Sequence, residues 1–246
     1  MWGWISSNRC NIGLIIGKIM NKKIIITGSE GLLGTEISRY LEELGNIVIR
    51  CDLQLGHDLT DEQFVKDFFK KNKADCLVNT YAINPHVDLR DQSTNMFDIG
   101  LESLNQYLQV NLLSLFSVCR EFANNNENGS IINFSSTYGV VSPNPALYDE
   151  GKEKHIGYCI SKSGVIQMTR YLAVHLAPKF RVNCVAPGGC GMNTSDEFTK
   201  LYSDKTPMKR MMKVDELNGI IEYLCSDKST YTTGANINVD GGWTIW

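Results

Sequence analysis

The chain has 246 residues, 43% of them hydrophobic and 21% charged, with 21 Gly and 6 Pro. This composition can bury a full core and excludes collagen, disorder and low complexity, and one α/β domain accounts for the length better than two. The 24 basic and 27 acidic residues leave a net charge of −3, which supplies no field for gripping a phosphate backbone and argues against a nucleic-acid partner.

In chain order, residues 1–20 carry Trp2, Trp4 and the apolar run Ile12-Gly13-Leu14-Ile15-Ile16. That run is far short of the ~20 apolar residues a membrane span needs, and no signal-type cleavage site follows it. The segment reads as a poorly ordered appendage to a domain over 21–246, with no membrane partner expected. From residue 23 onward, short β-branched runs at 24–26, 47–49, 76–78, 131–134, 181–185 and 236–239 alternate with helical patterns at 32–44, 61–71, 99–124, 158–176 and 214–226. The runs are continuously apolar, as strands covered on both faces should be. The alternation predicts a Rossmann-type, doubly wound parallel sheet in a single α/β domain. The eight cysteines (Cys10, Cys51, Cys76, Cys119, Cys159, Cys184, Cys190, Cys225) form no Cys-x-x-Cys pair, a usage that suits reduced, cytoplasmic protein rather than a disulfide framework or zinc site.

The first strand runs into Gly28-Ser29-Glu30-Gly31-Leu32-Leu33-Gly34. Glycines here let the backbone turn tightly and approach a pyrophosphate, while the free N–H groups of the following helix face the anion. Asp52 closes the second strand 18 positions beyond Gly34. A carboxylate there accepts hydrogen bonds from ribose hydroxyls and repels a 2′-phosphate, favouring NAD over NADP. Glu30 adds a second negative charge to the loop, and Arg50 should point away from Asp52. Asp58-Leu59 lie where a loop could meet the adenine, although Asp58 reads equally well as a helix N-cap.

Tyr158 and Lys162 stand at i and i+4, on one face of a helix. A phenol is a poor acid–base group at neutral pH, and an adjacent ammonium should pull its pKa down. Ser135-Ser136 end a buried strand, where a hydroxyl can bond a substrate carbonyl. Asn111, polar among apolar neighbours, could hold a water for proton relay. None of the four histidines, His57, His86, His155 and His175, shows ligand spacing, so no metal is expected.

The ordered set Thr27-Gly28, Gly31, Gly34, Asp58, Asn111, Ser136, Tyr158, Lys162, Pro187-Gly188 and Asn238-Val239-Asp240-Gly241-Gly242 resembles the short-chain dehydrogenase/reductase family over essentially all of 22–246. The resemblance implies Tyr158 as general acid/base and Lys162 as the residue that lowers its pKa and binds the nicotinamide ribose. It further implies Ser136 polarising the carbonyl, Asn111 supporting the relay water, and Pro187-Gly188 bordering the nicotinamide. Gly28, Glu30, Gly31, Leu33, Gly34, Asp52, Asp58, Leu59, Asn79 and Ala82 complete the cofactor set. The reaction implied is reversible hydride transfer to or from a C–OH/C=O carbon, by a homodimer or homotetramer paired through its long helices, with Leu112, Leu115, Phe116, Val165 and Ile166 serving either that interface or the core.

Three features depart from the family's shorter branch. The glycine spacing is closer to that of nucleotide-sugar epimerases. Asn79-Thr80-Tyr81-Ala82 stands where Asn-Asn-Ala-Gly is usual, so that bulky Tyr81 could narrow the cofactor edge. Ser136 and Tyr158 lie 22 positions apart, and the extra residues should loop over the pocket with aromatic, amide and charged groups suited to a sugar derivative or another polar small molecule. This looks like the subset associated with polysaccharide and flagellin sugar modification. The stretch 189–212, rich in Met, reads as a flexible lid, and Thr194 could approach the nicotinamide amide. The alternatives are a nucleotide-sugar epimerase or dehydratase, for whose substrate domain no residues remain, and a dinucleotide-binding protein without activity.

Overall fold

The computed structural model describes residues 21–84, 96–148, 153–191 and 194–246; the appendage expected over 1–20 lies outside them. Six strands, β1 Lys23–Thr27, β2 Ile47–Cys51, β3 Cys76–Asn79, β4 Gly129–Phe134, β5 Phe180–Pro187 and β6 Asn236–Val239, form one wholly parallel sheet in the order β2-β1-β3-β4-β5-β6. The chain steps outward from β1 to β2 and then returns to β1's other side, so the direction of winding reverses between β1 and β3. In such sheets a crevice opens at that reversal, outside the carboxyl ends of the strands.

Side-chain alternation along each strand feeds two cores. Ile24 and Ile26 face α1 (Leu32–Glu43) and α8 (Asn218–Cys225), meeting Ile37, Leu41, Ile221 and Leu224. Ile25 points the other way, into a layer built by α2 (Glu62–Lys71), α4 (Ser114–Asn125) and α6 (Ile156–Leu176). The pattern predicted one helix over 99–124. The structure divides it into α3 (Leu101–Leu108), a π-helical turn over Gln109–Leu113, and α4. Leu115, Val165 and Ile166 are buried in the core, whereas Phe116 is 40% exposed; of the proposed interface residues, those three therefore serve the core.

Buried polar groups across the sheet satisfy one another in a ladder. Thr27 Oγ1 donates to Asn79 Oδ1 (2.8 Å), Asn79 Nδ2 to Asn133 Oδ1 (2.9 Å), and Asn133 Nδ2 to Thr169 Oγ1 (3.0 Å) on α6. A fully paired network of this kind fixes one arrangement of strands and helix, because any shift leaves a buried donor or acceptor unmet.

Candidate active site

A cavity of about 1040 Å³ opens at the carboxyl ends of the strands, at the upper end of the ~300–1,000 Å³ range of small-molecule sites. Main chain and glycine make its first wall. Gly28 has φ +75°, and a Cβ there would stand 2.5 Å from Tyr81 N; a Cβ on Gly34 would stand 2.0 Å from Gly28 O. Only glycine permits this turn and this helix-to-strand approach. Helix α1 starts at Gly31 with no side-chain cap and no acid in its first turn, so its N–H groups beside Gly31, Leu33 and Gly34 remain available to an anion on the cavity side.

Asp52 lines the cavity at the end of β2, its Oδ2 accepting from Glu30 N (3.1 Å) and its Oδ1 from Gln54 N (2.8 Å). Glu30 itself is off the wall: its carboxylate accepts from Ser29 Oγ (2.9 Å) and lies 3.5 Å from Arg50. Its charge is therefore compensated rather than added to that of Asp52. Arg50 also reaches Glu42 (3.1 Å). Among the described residues, no Lys or Arg lines the cavity beside Asp52, Leu53, Gln54 and Asp58. Asp58 and Leu59 do line it. The N-cap reading of Asp58 is corrected: it accepts from Thr60 N and Oγ1 (2.8 and 2.6 Å), and the cap of α2 is Asp61, bonded to Gln63 N and Phe64 N.

Ala82 borders the cavity, but the side chain of Asn79 is spent in the buried ladder and does not. Tyr81 reaches the cavity, yet its hydroxyl lies 2.9 Å from Ser114 Oγ and its ring packs against the core under α4. The close approach to Gly28 is thus made by the Tyr81 main chain, not by a bulky ring narrowing the cofactor edge. Asn111 sits in the π-helical turn, 1% exposed and off the cavity wall. Its Oδ1 accepts from Ile83 N (2.8 Å), and its Nδ2 donates to Ile83 O (3.0 Å) and Ser161 Oγ (3.1 Å). With both amide protons and one oxygen lone pair engaged, the side chain holds the segment after β3 against α6.

Ser136, Tyr158 and Lys162 converge on the cavity. Ser136 leaves β4, caps α5 (Thr137–Val140) by accepting from Tyr138 N (3.2 Å), and its hydroxyl interacts with the Tyr158 phenol. Burial pushes the Tyr158 phenol up to about 12, and the Ser136 hydroxyl acts in the opposite direction. Lys162 Nζ donates to Phe134 O (2.8 Å), 5.8 Å from the Tyr158 ring centroid, and burial lowers its pKa to about 8. The expected depression of the Tyr158 pKa by the ammonium is not what the cofactor-free site shows: burial sets the direction and holds the phenol protonated. Sequence reasoning missed His155, whose Nδ1 accepts from Gly157 N (3.0 Å) at the start of α6 while its ring stacks on Tyr107 at 4.5 Å. A His before a helical run is a rare cap, and its place here depends on tertiary contacts, the Tyr107 stack and a 2.8 Å contact between its Nε2 and Ser103 Oγ.

The opposite wall is built of long side chains. From the added stretch come Tyr138, Leu147, Tyr148 and Lys154, with the Tyr148 hydroxyl donating to that of Tyr138 (3.0 Å); residues 149–152 of that stretch, including Asp149 and Glu150, lie outside the described residues. Facing them is α7 (Asp196–Lys205), which occupies part of the expected lid. Tyr202 of α7 accepts from Gly189 N (2.7 Å) and stacks on Trp243 with centroids 4.2 Å apart and planes 2° from parallel. Ser195 as N-cap, Asp196 and Glu197 in the first turn and Lys205 in the last are ordinary helix signals that the high polarity of the stretch concealed. Thr194 lies on the wall, 2.8 Å from Thr199 Oγ1, and Pro187 and Gly188 close the floor at the end of β5. The uncapped helix start, the glycines and the carboxylate at the end of β2 together fit a dinucleotide lying along the first wall. Among the described residues, no group of three or more His, Cys, Asp or Glu could hold a metal, and no helix is long and apolar enough to cross a membrane.

A family model described as enoyl-(acyl carrier protein) reductase matches residues 20–244. Nodulation protein G of Azospirillum brasilense is 30% identical, covering 91% of this chain and 98% of that protein. A 3-oxoacyl-(acyl-carrier-protein) reductase of Rickettsia felis is 29% identical, over 91% of this chain and 97% of its own length. Among solved structures, a short chain dehydrogenase of Leptospira borgpetersenii with bound NAD+ superposes with a TM-score of 0.81 at 29% identity, covering 100% of this chain and 99% of that one.

Proposed function

The chain belongs to the short-chain dehydrogenase/reductase family of NAD(P)-dependent oxidoreductases, and from that premise we propose reversible hydride transfer between NAD and a C–OH/C=O carbon of a sugar-like or other polar small molecule, with Tyr158 as general acid/base. The observation that carries the reading is the meeting of Ser136, Tyr158 and Lys162 on one cavity, between a glycine wall suited to a dinucleotide and an aromatic wall suited to a substrate.

When bound, the nicotinamide supplies the hydride that turns C=O and a proton into CH–OH, or accepts it in reverse. Tyr158, kept neutral by burial, holds the proton that the carbonyl oxygen receives in the reducing direction. Ser136 orients that oxygen by hydrogen bonding. Lys162 offers a positive charge to the phenolate left behind and, in the dinucleotide complex, donors to the ribose. Asn111 positions: it ties the segment after β3 to α6, which carries Tyr158. Gly28, Gly31, Leu33 and Gly34 would hold the pyrophosphate, and Asp52, Asp58, Leu59 and Ala82 the adenosine end. Pro187 and Gly188 would border the nicotinamide, with Glu30 contributing its main-chain N–H to Asp52 and Asn79 its grip on β1. The carboxylate of Asp52, with no Lys or Arg of the described residues beside it on the cavity wall, supports NAD over NADP.

The unpaired thiols of Cys51, Cys76, Cys119, Cys159, Cys184, Cys190 and Cys225 support a reducing, cytoplasmic setting. Exposed Phe116, Ile160 and Val174 on α4 and α6 support pairing as a homodimer or homotetramer through those helices. The test is net cofactor turnover, followed at the absorbance of reduced nicotinamide, against a panel of sugars, sugar alcohols, sugar acids, sugar nucleotides and a 3-oxoacyl thioester. The proposal expects stoichiometric conversion of cofactor with one of the polar classes. Sugar-nucleotide conversion with no net cofactor change would replace it with an epimerase or dehydratase, and dinucleotide binding without any conversion with a non-catalytic protein.

A further inference from the structure

Among the described residues, two lysines line the cavity, and only Lys162 belongs to the proposed proton-transfer set. The other, Lys154, precedes α6 and holds its Nζ 4.4 Å from the centroid of the Tyr158 ring. It donates to the side-chain oxygen of Asn84, also on the wall. An ammonium has three donors, and Asn84 takes one. No carboxylate of the described residues pairs with it. Glu197, exposed at the start of α7, is an acid on the substrate side of the cavity, whereas Asp52 and Asp58 belong to the adenosine end. Lys154 is half-buried, and burial draws its pKa down to about 8. A desolvated cation with no counter-ion among the described residues is unfavourable until an anion arrives to pair with it.

Resting on the hydride-transfer reading above, we propose that Lys154 is a specificity residue that receives a carboxylate or phosphate of the substrate, so that the substrate is an anionic oxo or hydroxy compound. Proximity sets where that anion lies. A charge-assisted contact of about 2.8 Å and bonds of about 1.5 Å put the anionic group roughly one to three bonds from the carbon whose oxygen meets Tyr158. The ring of Tyr158 beneath Lys154 also fixes the ammonium by cation–π attraction, so little ordering remains to be done when the anion binds.

The experiment uses matched probes with each cofactor: acetoacetate against ethyl acetoacetate, and dihydroxyacetone phosphate against dihydroxyacetone. The expected result is a preference of at least about tenfold in kcat/KM for the charged member of one pair, the worth of one hydrogen bond to a charged group. The pair that shows it tells carboxylate from phosphate. Lys154→Met should erase that preference chiefly through KM, and Lys154→Arg should keep it. Equal kcat/KM for charged and neutral members, or a preference that survives in Lys154→Met, overturns the proposal. A second readout needs no turnover: malonate and inorganic phosphate are added separately to the protein with NAD+, and thermal stabilisation is followed. Stabilisation of the wild type but not of Lys154→Met supports an anion site at Lys154, and equal stabilisation of both, or of neither, overturns it. Absence of any cofactor turnover across all probes instead counts against the hydride-transfer reading, so the two failures separate.

Discussion

The cavity wall below β1 and β2 is shaped by glycine and main chain and carries the carboxylates of Asp52 and Asp58, whereas the wall beyond β4 and β5 consists of tyrosines, a lysine and the aromatic face of α7. On the first wall a missing Cβ does the shaping: Gly28 and Gly34 admit backbone where any side chain collides. On the second, bulk and hydrogen bonding do it, as in the Tyr148–Tyr138 pair and the Tyr202–Trp243 stack. A wall of main chain suits the invariant part of a reaction, the dinucleotide, and a wall of long side chains suits the part that differs from one enzyme to the next. Tyr158 stands where they meet, so damage to it should disable both directions of chemistry, while damage to either wall should have separable effects.

Replacing Tyr158 with Phe removes the proton donor shared by the two walls. Turnover should fall about 10³-fold, within the ~10²–10⁴ typical of general acid–base groups, with circular dichroism retained; undiminished steady-state rates would break the division at its centre. On the first wall, Gly34→Ala forces a methyl into Gly28 O at 2.0 Å. Urea unfolding should register a loss of about 3 kcal/mol, accompanied by weaker NAD binding in calorimetry.

Lys162 tests the price of placing a charge at the junction. Its folded pKa of about 8 lies below the ordinary 10.5. Below about pH 8 the ammonium is charged in both states and its burial opposes folding. Between about 8 and 10.5 the unfolded chain binds more protons, so this group's contribution to stability rises with pH. Cofactor-free Lys162→Met should therefore be more stable than the wild type by about 2 kcal/mol near pH 7, allowing for the lost bond to Phe134 O, with the difference falling through zero and slightly reversing toward pH 10.5, where only the lost bond remains. A pH-independent difference in denaturant midpoints would contradict that assignment. On the second wall, Tyr148→Phe deletes one neutral hydrogen bond of about 1 kcal/mol. Substrate KM should rise about fivefold while NAD affinity, measured separately, stays the same.

The same contrast explains how much could be read from the chain. The sheet, the glycine turn, Asp52 and the Tyr158–Lys162 spacing are local patterns, and each has a local physical cause. Asn79 and Asn111 carry the expected residue types, but their amides are taken up by Asn133 and by Ile83, partners brought near only by the folded sheet. Helix α7 was hidden because its polar outer face masks the few apolar positions that meet Trp243. Lys154 could be placed in the added stretch, but nothing in its neighbours announces a position over the Tyr158 ring. Long side chains get their direction from tertiary packing, which is why the first wall was legible and the second was not.

On the reading proposed above, NAD lies along the glycine wall with its adenosine ribose on Asp52. Calorimetric titration of the purified protein with NAD+ and NADP+ tests it without knowledge of the substrate. The expected result is one site per chain, with NAD+ bound at least about tenfold more tightly than NADP+ through loss of a charged hydrogen bond and added repulsion, and a preference that collapses in Asp52→Ala. Tighter binding of NADP+, or a preference for NAD+ that Asp52→Ala leaves intact, would contradict it.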